Sequence, residues 1–183
     1  MGSWATRANG LTALRLLAAP ALFAAIHVER PAFATLVFFL AVATDFADGW
    51  VARRYGEVTP LGGLVDHAVD ATFVCAGAAA LACAGVLPVL LPTLVAVAFL
   101  QYALDSRWLA ARNLRPSELG RWNGIAYYVI VAVPIVRDAL GLGWPGAGLV
   151  TALGWALVAS TLVSMADRLR WLLSARRARG SRV

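Results

Sequence analysis

The 183 residues are 61% hydrophobic and 14% charged, with a mean hydropathy of +0.73 and a formal net charge of +6. Soluble domains of this size carry about a quarter charged residues, so too few polar side chains exist to cover a water-facing globule, and the bilayer is the natural solvent. All 16 basic residues are arginine. They gather between apolar stretches, which points to a membrane surface and excludes nucleic acid as the partner.

The first apolar segment covers residues 11–28. Arg15 interrupts it and no cleavage site separates it from the next, so it reads as a retained helix, not a signal peptide. Further segments follow at 32–52, 62–86, 88–110, 123–140 and 146–165, each near the roughly 20 residues that a bilayer-crossing helix needs. Turn and charge signals separate them: Glu29-Arg30-Pro31, then 53–60, 85–88, 112–121 and 141–145. Cys75 and Cys83 lie about 12 Å apart along one helix, too far to bridge, and read as small apolar residues. No internal repeat or linker appears. The chain therefore predicts a single domain over 1–183, an all-α integral membrane fold of six transmembrane helices.

Arginine placement sets the orientation. Arg7, Arg53, Arg54, Arg107, Arg112, Arg115, Arg121 and the residues from Arg168 onward fall on one side of a six-span topology, and only Arg30 and Arg137 on the other. The positive-inside rule then places both termini in the cytoplasm, with the chain in the inner (plasma) membrane. Residues 168–183 form a basic cytoplasmic tail with Leu169, Trp171, Leu172 and Leu173 interleaved, suited either to anionic headgroups of membrane lipids or to a solvated flank.

Of ten carboxylates, Asp45, Asp48, Asp66 and Asp70 fall within 26 residues, inside or at the ends of apolar segments. Such placement is costly without compensation. Asp45 and Asp48 are i,i+3 on the second span, and Asp66 and Asp70 are i,i+4 on the third, so each pair shares a helix face. A short loop folding the two spans antiparallel sets both pairs at one depth near the cytoplasmic interface. Oxygen ligands of this kind suit Mg2+ or Mn2+, with room for two ions. Gly49, Ala52, Gly62 and Gly63 leave the backbone open to a bulky ligand, and Arg53 is placed to hold a phosphate or a carboxylate. The bland alternative is ion pairing of the aspartates with arginines at a helix end.

The stretch reads D-x2-D-G-x2-A-R-x8-G-x3-D-x3-D, through Asp45, Asp48, Gly49, Ala52, Arg53, Gly62, Asp66 and Asp70. It resembles, without gap or substitution, the signature of the CDP-alcohol phosphatidyltransferase family. Asn9, Thr12, Arg15 and Pro20 are similar to the N-x-x-T-x-x-R segment that opens many bacterial members. Ala71 departs from the basic residue that often follows the last aspartate, and His67 and Ala8 depart from frequent neighbours of the motifs.

The resemblance implies six transmembrane helices, a homodimer and an active site at the cytoplasmic interface. It implies that Asp45, Asp48, Asp66 and Asp70 hold Mg2+ or Mn2+, with two ions bound, and that Asp70 is also the general base. It assigns Asn9, Thr12, Gly49, Ala52, Arg53, Thr59 and Gly62 to the CDP part of the donor. The implied reaction moves a phosphatidyl group from a CDP-linked lipid, CDP-diacylglycerol, to the hydroxyl of a small alcohol or alcohol phosphate and releases CMP. For a phosphorylated acceptor of the glycerol phosphate or inositol phosphate type, Arg112, Arg115, Arg121 and Arg168 are the candidate binders. The alternatives are a non-phosphorylated acceptor on the same fold, or a cation transporter built on intramembrane carboxylates, which places them near the bilayer centre instead.

Overall fold

The computed structural model describes residues 7–55, 60–108 and 118–180. Six helices account for nearly all of them: α1 (Arg7–His27), α2 (Pro31–Tyr55), α3 (Pro60–Cys83), α4 (Leu90–Trp108), α5 (Glu118–Ala139) and α6 (Ala147–Gly180). Three stretches, Gly62–Cys83, Glu118–Ala139 and Ala147–Trp171, are long and apolar enough to cross a bilayer. Leu14–His27, Pro31–Ala47 and Leu90–Leu104 are shorter apolar runs. Large apolar side chains face outward, among them Leu17, Leu36, Phe39, Leu40, Val129 and Val163. Such a surface suits lipid, and the fold is that of an all-α, multi-pass membrane protein.

The expected breaks are present and have a common local cause. α1, α3 and α5 each end in the same pair of backbone hydrogen bonds. Arg30 N–H donates to Ala25 O at 2.9 Å, Val86 N–H to Leu81 O at 2.9 Å and Leu142 N–H to Arg137 O at 2.9 Å. Each closes over a residue in the left-handed region, namely Glu29 (φ 53°), Gly85 (φ 74°) and Gly141 (φ 63°). Two of the three use glycine, which meets no Cβ penalty there, and the bonds satisfy the last carbonyls of each helix. α6 departs from the expected boundary. It continues as one helix of 34 residues through the basic segment.

α2 and α3 run antiparallel as expected, with the Phe38 and Phe73 rings in contact at 5.8 Å, and α1 packs along both. Small residues explain this: α1 buries Ala19, Leu22 and Ala25, against Ala34, Phe38 and Ala41 of α2 and Phe73, Val74 and Ala78 of α3. In lipid, helix association rests on close backbone approach more than on hydrophobic drive. α5 closes the bundle against α2, α3 and α6, and α4 lies against α3 and α6. Polar contacts tie helices together, including Thr35 Oγ1 donating to Ile135 O at 3.2 Å, and the Tyr127 and Thr161 hydroxyls at 2.7 Å.

Gly77 marks one of the tight approaches in the bundle. A Cβ there would stand 2.7 Å from Val131 Cγ1 and 3.0 Å from Leu22 Cδ2, whereas one at Gly124 meets nothing within 4 Å. Gly77→Val is therefore expected to lose about 1–3 kcal/mol by overpacking. Gly124→Ala gains about 0.5–1 kcal/mol from helix propensity. Thermal unfolding of both variants in detergent checks the pair.

Candidate metal centre and active site

Three helices bring their charges to one end of the bundle. Arg15 lies in the first half of α1, Asp45 in the second half of α2, and Asp66 and Asp70 in the first half of α3. The oxygens that Asp45, Asp66 and Asp70 offer all lie within 4.8 Å of one another. The faces carrying the acidic residues thus converge as the helical spacing predicts, with α1 packed along both helices that carry them.

The centre of this group holds one nitrogen. Arg15 Nη1 is 2.9 Å from Asp45 Oδ1 and 3.0 Å from Asp66 Oδ1, and it also pairs with Asp70 Oδ1. The Arg15 side chain is 1% exposed, against 21% for Asp70, 36% for Asp66 and 41% for Asp45. Arg15 is therefore the floor of the site, Asp70 its wall and the other two its mouth. Among the described residues, Asp45, Asp66 and Asp70 are ion-paired by an arginine from the middle of an apolar segment. Three carboxylates around one guanidinium leave a formal excess of two negative charges among these side chains. An all-oxygen donor set with that excess fits a hard divalent cation, and a cationic nitrogen already stands at the meeting point of the donors.

α1 and α3 run in the same direction, because contacts between them advance together along both chains. Leu22 and Gly77, the tight contact described above, each follow Arg15 and Asp70 by seven residues. The ion pair therefore sits two turns from this contact.

The sequence profile of the family described as CDP-alcohol phosphatidyltransferase matches residues 5–169. The chain belongs to the CDP-alcohol phosphatidyltransferase family. It is 31% identical over 141 residues to the CDP-diacylglycerol–glycerol-3-phosphate 3-phosphatidyltransferase of Cereibacter sphaeroides, covering 72% of this chain and 64% of that one. It is 32% identical over 159 residues to the archaetidylinositol phosphate synthase of Aeropyrum pernix, covering 84% of this chain and 79% of the relative. Similarity to the CMP-forming cardiolipin synthase of Streptomyces coelicolor is 31% over 130 residues, 70% of this chain and 60% of the relative. The match to the phosphatidyltransferase of Rickettsia bellii covers 38% of that protein, so the chain spans less than two thirds of the length of the first curated relatives it matches.

The family signature therefore falls on the site as built. Asp45, Asp66 and Asp70 are together, and Gly62 is exposed in the first turn of α3. Asp48, Gly49, Ala52 and Arg53 lie on the last turns of α2, and Asn9 and Thr12 on the first turns of α1, with side chains outside the described set. Thr59, Arg112 and Arg115 lie outside the described residues. Arg121 is engaged at the surface, donating to Glu118 Oε2 at 2.9 Å. Arg168 stacks over the Tyr102 ring at 5.2 Å, and the same ring meets His67 edge-on at 5.5 Å. His67 follows Asp66, so Arg168 is linked through two rings to the turn of α3 that carries the site.

Two residues at the site escape a reading by motif alone. Arg15 belongs to the opening motif, yet only its burial reveals its role. The available signal was the charge inside an apolar helix, which requires a partner of opposite sign. Tyr128 on α5 is the other. Its ring packs against Phe38 and Phe73, at centroid distances of 6.1 Å and 6.4 Å. Its hydroxyl is buried facing the Asp70 carboxylate, yet makes no hydrogen bond of full geometry among the described residues. Nothing in the sequence distinguishes this tyrosine from its neighbour Tyr127. An unsatisfied buried hydroxyl costs about 1–3 kcal/mol. Tyr128→Phe is thus expected to leave the metal-free protein at least as stable as the parent in thermal unfolding, since the ring contacts remain.

Proposed function

We propose that this chain transfers a phosphatidyl group from a CDP-linked lipid, CDP-diacylglycerol, to the hydroxyl of an alcohol phosphate, releasing CMP. The observation that carries the reading is the convergence of Asp45, Asp66 and Asp70 on a single point at one end of the bundle. Asp48 completes the set by its place in the signature, and the four hold Mg2+ or Mn2+, two ions in all. The relatives support the phosphorylated acceptor: one is named for glycerol 3-phosphate and another for an inositol phosphate lipid.

The chain's own groups perform the following steps. Asn9, Thr12, Gly49, Ala52, Arg53, Thr59 and Gly62 bind the CDP part of the donor. Glycine and alanine leave clearance for the nucleotide, and the Arg53 fork holds phosphate oxygens. Bound divalent ions supply charge neutralisation at the pyrophosphate and at the departing CMP. The Asp70 carboxylate takes the proton of the acceptor hydroxyl as its oxygen bonds to the lipid-bearing phosphorus. The bond from that phosphorus to the CMP oxygen breaks, and CMP leaves with the electron pair. No covalent intermediate with the protein is needed.

Arg112, Arg115, Arg121 and Arg168 serve the acceptor phosphate, with Arg168 held toward the site by the Tyr102 and His67 rings. The bundle lies in the inner membrane with both termini and the site on the cytoplasmic side, as the arginine bias requires. Residues 1–183 act as one domain, 168–183 form its basic end, and the enzyme works as a homodimer among membrane lipids.

Release of CMP from CDP-diacylglycerol, followed across a panel of acceptors with Mg2+ or Mn2+, tests the reading. Metal-dependent turnover is expected with at least one acceptor and is abolished in Asp70→Asn. Undiminished release in that variant removes Asp70 as the base. A preference for unphosphorylated alcohols in the same panel replaces the acceptor class while leaving the chemistry in place. Arg168→Gln is expected to raise the KM for a phosphorylated acceptor about tenfold or more, the loss of one charge-assisted contact. The KM for the CDP-lipid stays unchanged.

A further inference from the structure

Arg15 poses a question that the reaction does not answer. A buried arginine could neutralise nearby carboxylates from any side, yet a single nitrogen, Nη1, contacts Asp45, Asp66 and Asp70 at once. Nη1 thus stands at the convergence point of the donor oxygens, which themselves lie within 4.8 Å of one another. A divalent ion such as Mg2+ takes oxygens at about 2.0–2.1 Å, closer than the 2.9 Å and 3.0 Å at which Nη1 stands from Asp45 and Asp66. Nitrogen and ion therefore cannot share that point.

We propose that Arg15 is the built-in counter-ion of the metal-free site and that it competes with the divalent cation for the same three carboxylates. The inference rests on the metal-dependent reading above and deepens it. Without a cation, three carboxylates this close in an apolar bundle repel one another. Arg15 relieves that repulsion and keeps α1, α2 and α3 together at this end. Entry of the ion supplies the missing charge and displaces Nη1. The arginine thereby stabilises the empty site and weakens metal binding by the same interaction, as linkage requires when two ligands exclude each other. Only the ion-pair geometry is invoked, and no change of protonation.

The test uses the full chain in detergent, with Mn2+ as the probe. Free Mn2+ is followed by its electron paramagnetic resonance signal, and thermal unfolding is recorded in EDTA and in saturating Mn2+. Arg15→Gln is expected to bind Mn2+ at least tenfold more tightly than the parent. It is also expected to unfold at lower temperature in EDTA, with most of that deficit recovered in Mn2+. Purification in Mn2+ guards against loss of the variant, because the ion replaces the missing charge. A variant that fails to fold even then, or that binds Mn2+ no more tightly while the parent binds it well, overturns the inference alone. A parent that takes up no Mn2+ overturns the metal-dependent reading itself.

Discussion

The arrangement depends on a charge that an apolar bundle does not tolerate alone. Arg15 is almost fully enclosed, and it is enclosed because three aspartates from two other helices meet it. Removing one member of such a group leaves the others unpaired in a medium of low polarity, so the four side chains specify one another. This mutual requirement fixes the rotation of α1, α2 and α3 about their axes. Turning any of the three would carry a charge into lipid. The same constraint that orders the helices creates a concentration of negative charge that suits a divalent cation.

Much of this was legible in the sequence. Charge scarcity and six apolar segments give the all-helical membrane fold, and the terminating signals at Glu29-Arg30-Pro31, Gly85 and Gly141 fall where α1, α3 and α5 end. The i,i+4 spacing of Asp66 and Asp70 places both on the face that meets Arg15. The signature holds these positions at separations that put them on one helix face, and local spacing is what a linear sequence records best.

What was not legible depends on packing between distant segments. Adjacency in the chain predicts that α2 and α3 run antiparallel, but it does not predict that α1, through its alanines, packs along both. Arg15 looks like an interruption of an apolar run until the fold shows what it meets. The end of α6 was equally hidden. Arginine and leucine are good helix formers, so the helix has no local reason to stop where its apolar part does.

The register between the helices has a consequence for the charged end. Gly77 follows Asp70 by two turns of α3, and a side chain there meets Val131 of α5 at 2.7 Å and Leu22 of α1 at 3.0 Å. A glycine deep among apolar residues thus marks where three helices meet, so that added bulk at this one position is felt by both of the helices packed against α3.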